Sequence, residues 1–210
     1  MSKVLLITGA SRGIGAATAT IAASRGYAVG VNYRANAAAA EAVVRGIRDA
    51  GGTAEAIQGD VAVEADIRRM FAINVIGAML CAQAAVRRLS TAHGGRGGAI
   101  VNVSSVASRI GSNGEYVDYA ASKAAIDTFT LGLAKEVVGE GIRVNAVRPG
   151  IVRTGIHASG GQPDRLERIA PLVPMLRPGE PDEIAHAILW LLSDEASYVT
   201  GVCLDAAGGR

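Results

Sequence analysis

The chain has 210 residues, half of them apolar and 19% charged, which is enough for one sizeable core without disulfides and too apolar for disorder. Its 21 basic and 19 acidic residues are scattered and leave a net charge of +2; with no Lys/Arg run or aromatic-interleaved basic patch, no nucleic-acid footprint is expected despite a pI near 8.7. Met1-Ser2-Lys3 leads straight into Val4-Leu5-Leu6-Ile7, a run too short for a signal peptide, and no 18-residue apolar stretch is read elsewhere, so a soluble cytoplasmic protein without membrane association is expected.

In chain order, Val4 to Thr8 is a β-favouring run stopped by Gly9. Residues 14 to 25 carry the small and apolar side chains of a helix lying close on a sheet. Gly26 ends that helix, and Ala28 to Tyr33 reads as a second buried strand. The alanine-rich stretch from Ala35 to Ala50 is the next helix, and TAEAIQGDV (53–61) is a third strand with its terminal loop. A helical run covers about 64 to 91, broken in character near Gly77. The loop at 93–98 precedes GAIVNVSS, a strand ending in paired serines.

Tyr119 to Val138 form a further helix, Ile142 to Val147 a strand cut off by Pro149-Gly150. Residues 155 to 180 read as a loop with a short helix around Arg165 to Ala170; within it Gly155 to Pro178, with glycines that permit movement, reads as a substrate lid, Met175 and Leu176 giving it an apolar inner face or serving packing. Asp182 to Leu192, started by Pro181, is the last long helix, and Val202 to Leu204 the last strand. Strands alternating with helices predict an α/β, doubly wound, mostly parallel sheet in a three-layer α/β/α arrangement, a single domain over 1–210. Ligands of such sheets bind beyond the carboxyl ends of the strands. Cys81 and Cys203, far apart in apolar surroundings, read as buried thiols. Trp190 reads as core or subunit contact.

The first turn is Thr8-Gly9-Ala10-Ser11-Arg12-Gly13-Ile14-Gly15. Gly9 permits a tight strand exit, Gly13 lets backbone approach a pyrophosphate, and Gly15 lets the helix pack close to the sheet. Free N–H groups at the helix start suit phosphate charge. Three glycines are a weak signal in a chain with 27, but their place between strand and helix favours a dinucleotide site over a structural turn. The second strand ends in Asn32-Tyr33-Arg34 with no carboxylate for ribose hydroxyls. Arg34, with Arg12 nearby, can pair with a 2′-phosphate, so NADP is expected over NAD; an ordinary solvated charge is the bland alternative for both. Asp60 either bonds the adenine amino group or caps its loop.

Tyr119 and Lys123 lie four apart on a helix and so project to one face. A tyrosine ordinarily titrates near ~10. A neighbouring ammonium favours its phenolate, which lets it give or take a proton as hydride moves. Ser105 is placed to hydrogen-bond a carbonyl oxygen, and Asn74 to hold a water linking Lys123 to solvent. A plain surface pair is the alternative, made less comfortable by the small residues of YAASKAAIDTF. Tyr116 lacks a lysine four residues on and reads as substrate-side or packing. His93, His157 and His186 have no metal-ligand spacing, so no metal is expected; His157 reads as an exposed loop residue.

TGASRGIG (8–15), GDV (59–61), NVIG (74–77), IVNVSS (100–105), YAASK (119–123) and RVNAVRPGIVRT (143–154) together make the chain resemble the classical short-chain dehydrogenase/reductase family. The resemblance implies that Asn74, Ser105, Tyr119 and Lys123 form a catalytic tetrad. It implies that Gly9, Ser11, Arg12, Gly13, Ile14 and Gly15 form the coenzyme loop, with Tyr33 and Arg34 at the adenosine ribose. Asp60 and Val61 match adenine contacts; Pro149, Gly150, Val152 and Thr154 match the segment at nicotinamide and pyrophosphate. It further implies an NADP-dependent oxidoreductase acting on a small-molecule secondary alcohol or ketone, 3-oxoacyl reductase-like or sugar dehydrogenase-like. Members usually assemble as tetramers through the helices that here contain Asn74 and Tyr119, so a homotetramer or homodimer is expected.

One piece of that pattern is absent. GDVAVEADI runs directly into RRMFAINVIGAML, without the helix, the central strand and the Asn-Asn-Ala-Gly motif expected between them. Losing that strand leaves a gap of about one strand spacing, ~4.8 Å to each neighbour, lined by backbone groups that cost about 1–3 kcal/mol each when buried unpaired. Three resolutions are open: a segment left out of the sequence as written, a truly shortened chain whose neighbouring strands close up, or a swapped element in the hole. A catalytically impaired nucleotide-binding or interaction protein of the same fold is the alternative function.

Overall fold

A computed structural model of the chain describes residues 3–59, 66–159 and 162–210. Asp60 and Val61, expected at the adenine, lie outside the described residues. Parallel strands alternating with covering helices give the doubly wound, three-layer α/β class expected from the sequence. The chain divides into two compact units. One holds the N-terminal part through the third strand with Val152–Leu172 and Pro178–Leu189; the other runs from the third helix to Ile151 with Val173–Arg177 and Trp190–Arg210.

In the first unit β1 (Val4–Ile7), β2 (Ala28–Tyr33) and β3 (Thr53–Gln58) form a parallel sheet in the order β1-β2-β3. Between them come α1 (Gly13–Ser24) and α2 (Ala37–Asp49). Asn36 caps α2, its Oδ1 accepting the Ala39 N–H at 3.0 Å, so that helix starts two residues later than its alanines suggest. Val29, Val31 and Ala54 point to one face and are buried, as are Ala19, Ala22, Val44 and Ile47 of the helices. The opposite face is different. Val4 is 80% and Leu6 58% exposed, and a Cβ on Gly30 would stand 2.8 Å from Leu6 Cδ1 and 2.9 Å from Ile57 Cδ1. Those two side chains therefore fold over the bare Gly30. β1 is an edge strand of this sheet.

The second unit opens on one continuous helical run. It comprises α3 (Asp66–Phe71), a π-turn over Ala72–Gly77, and α4 (Ala78–Leu89). The expected break near Gly77 is in fact this wider turn, which keeps the helix intact. Arg68, Arg69, Arg87 and Arg88 stand at the two ends of the run and its middle is uncharged. By length and composition Ile67–Leu89 is thus long and apolar enough to cross a membrane, with mean hydropathy 1.5 and 17% buried, which corrects the expectation that no such stretch exists. Cys81 on α4 is exposed rather than buried; Cys203 is half-buried. Apolar neighbours in sequence do not decide which face of a helix is covered.

β4 (Gly98–Val103), β5 (Ile142–Pro149) and β6 (Cys203–Ala206) form a second parallel sheet in the order β4-β5-β6, with β4 at an edge. A short α5 (Ala107–Ile110), unforeseen in the sequence, follows β4, and α6 (Val117–Val137) lies against β5. Ala134, Val137, Ile142 and Val144 form a buried cluster with Val86, Leu89 and Ile100 packed on it. Arg143 donates to the carbonyls of Leu191, Ser193 and Val199 at 2.8 to 3.2 Å, satisfying carbonyls at a helix end. The remaining helices are α7 (Ile156–Ser159), α8 (Arg165–Ile169) and α9 (Pro181–Leu192). Trp190 is partly exposed.

Candidate active site

In the first unit the glycine loop leaves β1 with Gly9 at φ +66°, a conformation glycine adopts without strain. The Ala10 N–H donates to Asn32 O at 2.9 Å, tying the loop to the end of β2. Arg12 is extended (φ −162°) and Gly13 (φ +56°) opens α1. The first intrahelical bond runs from the Ala16 N–H to Arg12 O at 3.2 Å, so the amides of Gly13, Ile14 and Gly15 lie ahead of the ladder. No side chain caps this end. A Cβ on Gly15 would stand 2.7 Å from Gly9 O and 2.9 Å from Ala10 Cα. Gly15 is needed by the loop's own backbone, a correction to the expected helix–sheet contact.

Thr154 lies beside this loop, its Cγ2 3.5 Å from where a Gly13 Cβ would be. Val152 is buried and bridges Gly179. Arg153 pairs with Glu180 at 2.9 Å, both more than half exposed or nearly so, a pair worth little. At the end of β2, Tyr33 O accepts the Gly59 N–H and Arg34 O the Gln58 side chain. The guanidinium groups of Arg12 and Arg34 belong to exposed residues and join no ion pair among the described residues. Ser11 is half-buried in the turn. Three amides with no side-chain cap, in a turn that leaves no room for a Cβ at Gly15, together with the exposed Arg12 and Arg34, fit a dinucleotide's phosphates.

The second unit holds the expected tetrad. Tyr119 and Lys123 project together: the Lys123 ammonium is 5.6 Å from the Tyr119 ring centroid, within cation–π range. Lys123 Nζ donates to Val103 O at 2.8 Å. Because Ser104 N–H bonds Val147 O across the sheet, the groups of its neighbour Val103 point to the open edge of β4. Burial lowers the Lys123 pKa to about 8, opposed by the charge of Asp127. Ser105 Oγ accepts the Ala107 N–H at 3.1 Å, leaving its own hydrogen for another acceptor. Its neighbour Ser104 donates to Lys123 O at 3.2 Å.

Asn74 stands in the π-turn, and its Nδ2 donates to Ser122 Oγ at 3.0 Å. Ser122 in turn donates to Tyr119 O at 2.7 Å. Asn74 thus braces the turn that carries Tyr119 through its Nδ2. Pro149 is buried, its carbonyl accepting the Val106 N–H at 3.0 Å. A Cβ on Gly150 would meet Ala207 Cα at 2.8 Å. Ser122 and Asp127 went unread in the sequence; four-residue spacing from Lys123 was the available signal for the second. His157 is half-buried with Nε2 3.0 Å from Val152 O, not the free loop residue expected. Among the described residues no group of three or more His, Cys, Asp or Glu can hold a metal.

Two family descriptions match the chain: "short chain dehydrogenase" over residues 3–71 and "Enoyl-(Acyl carrier protein) reductase" over residues 63–210. The "Uncharacterized oxidoreductase YgfF" of Escherichia coli (strain K12) is 48% identical over 245 residues, covering 99% of both chains. A "3-oxoacyl-[acyl-carrier-protein] reductase" of Synechocystis sp. is 32% identical, covering 99% of this chain and 96% of that one. The crystal structure of "angucycline C-6 ketoreductase LanV with bound NADP" is similar at TM-score 0.89 and 28% identity, over 99% of this chain and 95% of that one. On these matches the chain belongs to the short-chain dehydrogenase/reductase family of oxidoreductases.

Proposed function

We propose that the chain is an NADP-dependent reductase that interconverts a ketone and a secondary alcohol, working as one dinucleotide-binding catalytic domain. The observation that carries this is the Lys123 ammonium 5.6 Å from the Tyr119 ring. The similar 3-oxoacyl and angucycline reductases, both acting on ketones by name, support the substrate class. The uncapped amides of Gly13 to Gly15 would hold the pyrophosphate, with Thr154 beside them. A bound nicotinamide supplies or takes the hydride. In the reducing direction Tyr119 passes its phenolic proton to the substrate oxygen. The Ser105 hydroxyl donates to that same oxygen and offsets its developing charge. Lys123 favours the phenolate left behind; since its pKa is about 8, rising pH removes this ammonium and turnover should decline above that value.

The test is a coenzyme-coupled panel of 3-oxoacyl thioesters, cyclic ketones and sugars with NADP(H) and NAD(H) in parallel. Turnover with NADP(H) on at least one ketone is expected; silence across the panel sinks the proposal. Arg34 is proposed to bind the 2′-phosphate, and hydrogen bonds to charged groups are worth about 1.5–3 kcal/mol. Arg34→Ala should therefore raise the KM for NADPH by about 10- to 100-fold and leave that for NADH unchanged. Equal effects on both would remove Arg34 from this role.

A homo-oligomer is proposed as well, supported by exposed Ile73, Ile76 and Leu80 on the α3–α4 run and Leu131 on α6. Ile76→Asp should then lower the solution mass measured by light scattering; a mass equal to wild type, or a wild-type monomer, contradicts it.

A second reading has specific support. The relatives align over 245 and 246 positions against 210 residues here, so at least 35 positions have no counterpart in this chain. We propose that these include the central strand. The edge positions of β1 and β4, the exposed Val4 and Leu6, and Lys123 bonded to an edge carbonyl are what its loss would leave. Such a chain binds coenzyme without turnover. Calorimetric NADP binding alongside the silent panel, with an intact mass matching 210 residues, would favour it; turnover excludes it.

A further inference from the structure

α6 carries a third polar residue, the anion Asp127, on the face of Tyr119 and Lys123. Asp127 lies one turn beyond Lys123 and is 6% exposed. Its Oδ2 accepts a hydrogen bond from Arg148 Nε at 2.9 Å. Its Oδ1 is buried with no hydrogen-bond partner among the described residues. An unpartnered buried carboxylate oxygen is costly and calls for a reason. Arg148 continues outward: its Nη1 donates to Asp205 Oδ1 at 3.3 Å, and Asp205 Oδ2 accepts from Arg109 Nη1. The signs alternate from Arg109 on α5 through Asp205 on β6, Arg148 on β5 and Asp127 to Lys123. Cys203 on β6 also faces Asp127, its Sγ 4.0 Å from the backbone carbonyl; burial first, and then Asp127, push that thiol up, which keeps it neutral. Asp127 is the only anion of the chain one helical turn from Lys123 on its own helix, and helical spacing turns the two to one side.

We propose that Asp127, clamped by Arg148, acts through Lys123, keeping its side chain a charged ammonium beside Tyr119. Burial works against an ammonium; a buried carboxylate one turn away opposes it, and Arg148 sets how much of that negative charge Lys123 feels. The functional weight of this rests on the proposed Tyr119–Lys123 pair, but the charge coupling itself does not require turnover. Asp205 and Arg109 act at one and two removes, since each partly neutralises the next member.

The chain has three lysines, Lys3, Lys123 and Lys135, and the other two are exposed. Reductive 13C-methylation of the whole protein therefore gives a lysine NMR titration in which the exposed Lys3 and Lys135 serve as internal comparisons. The Lys123 signal should titrate near pH 8. Asp127→Asn should lower that midpoint by about one unit, and Arg148→Gln should raise it by a similar amount. A merely structural role does not reverse sign between the two, because loosened packing hydrates Lys123 and moves both upward. An unchanged midpoint in Asp127→Asn, or shifts of the same sign, overturns the proposal. If Asp127→Asn fails to fold by circular dichroism, Asp205→Asn takes its place: it frees Arg148 to neutralise Asp127 and should lower the midpoint, and no shift or a rise there is equally fatal. A wild type that turns over no ketone defeats the catalytic reading while leaving this titration decisive for the charge chain.

Discussion

Tyr119→Phe is expected to lower turnover by about 10³-fold, within the 10²–10⁴ that a positioned general acid–base contributes. The substitution removes one oxygen and its proton while keeping the ring beneath the Lys123 ammonium at the 5.6 Å separation. Helix α6 should be untouched, since the turn is held by Ser122 Oγ on Tyr119 O and by the Tyr119 N–H on Asp118 Oδ1 at 2.8 Å, bonds that use only backbone atoms of residue 119. Coenzyme affinity should therefore stay within about 2-fold, an energy difference below RT. Single-turnover kinetics beside a fluorescence titration of NADPH separates the two quantities. Turnover near the wild-type rate would remove Tyr119 from the chemistry, and a parallel loss of coenzyme affinity would make its role one of binding.

Gly15→Ala should damage the other half of the machinery. In most helices that change is favourable by roughly 0.5–1 kcal/mol, because alanine loses less backbone entropy. Here the new Cβ meets Gly9 O at 2.7 Å and Ala10 Cα at 2.9 Å, and both are backbone atoms that cannot swing aside. Overpacking of this kind costs about 1–3 kcal/mol, so net destabilisation of about 1–2 kcal/mol is expected in urea unfolding. Relief requires the loop to move away from α1, taking the Ala10 bond to Asn32 with it and misaligning the amides ahead of the helix. Binding of NADPH should weaken more than about 10-fold, the equivalent of 1.4 kcal/mol. A variant as stable as wild type with unaltered NADPH affinity would show that the loop has slack and that Gly15 is not required.

The strand–glycine–helix opening was legible because its signals are local: a β-favouring run, glycines where φ turns positive, and a helix free of large side chains. The Tyr119–Lys123 pair was legible for the same reason, since four-residue spacing fixes which face two side chains share. Asn74 was found by its surroundings but not its partner: the π-turn that swings it onto Ser122 leaves no trace in hydropathy. Cys81 was misread as buried because apolar neighbours show that a helix has an apolar face, not that anything covers it. Asp127 was passed over although its four-residue spacing from Lys123 is a local signal; its partner Arg148, 21 residues away, leaves none.

By itself the sequence determined the α/β class, the order of the strands and long helices, and the chemical pairings within one turn or one helix, because backbone dihedrals and helical periodicity act over a few residues. Only the tertiary structure decided which carbonyl receives the Lys123 ammonium, what Gly15 must avoid, and how Arg109, Asp205, Arg148 and Asp127 line up behind the lysine. Those contacts join segments far apart along the chain, and their distances and degree of burial are set by how the layers pack, which no local pattern encodes.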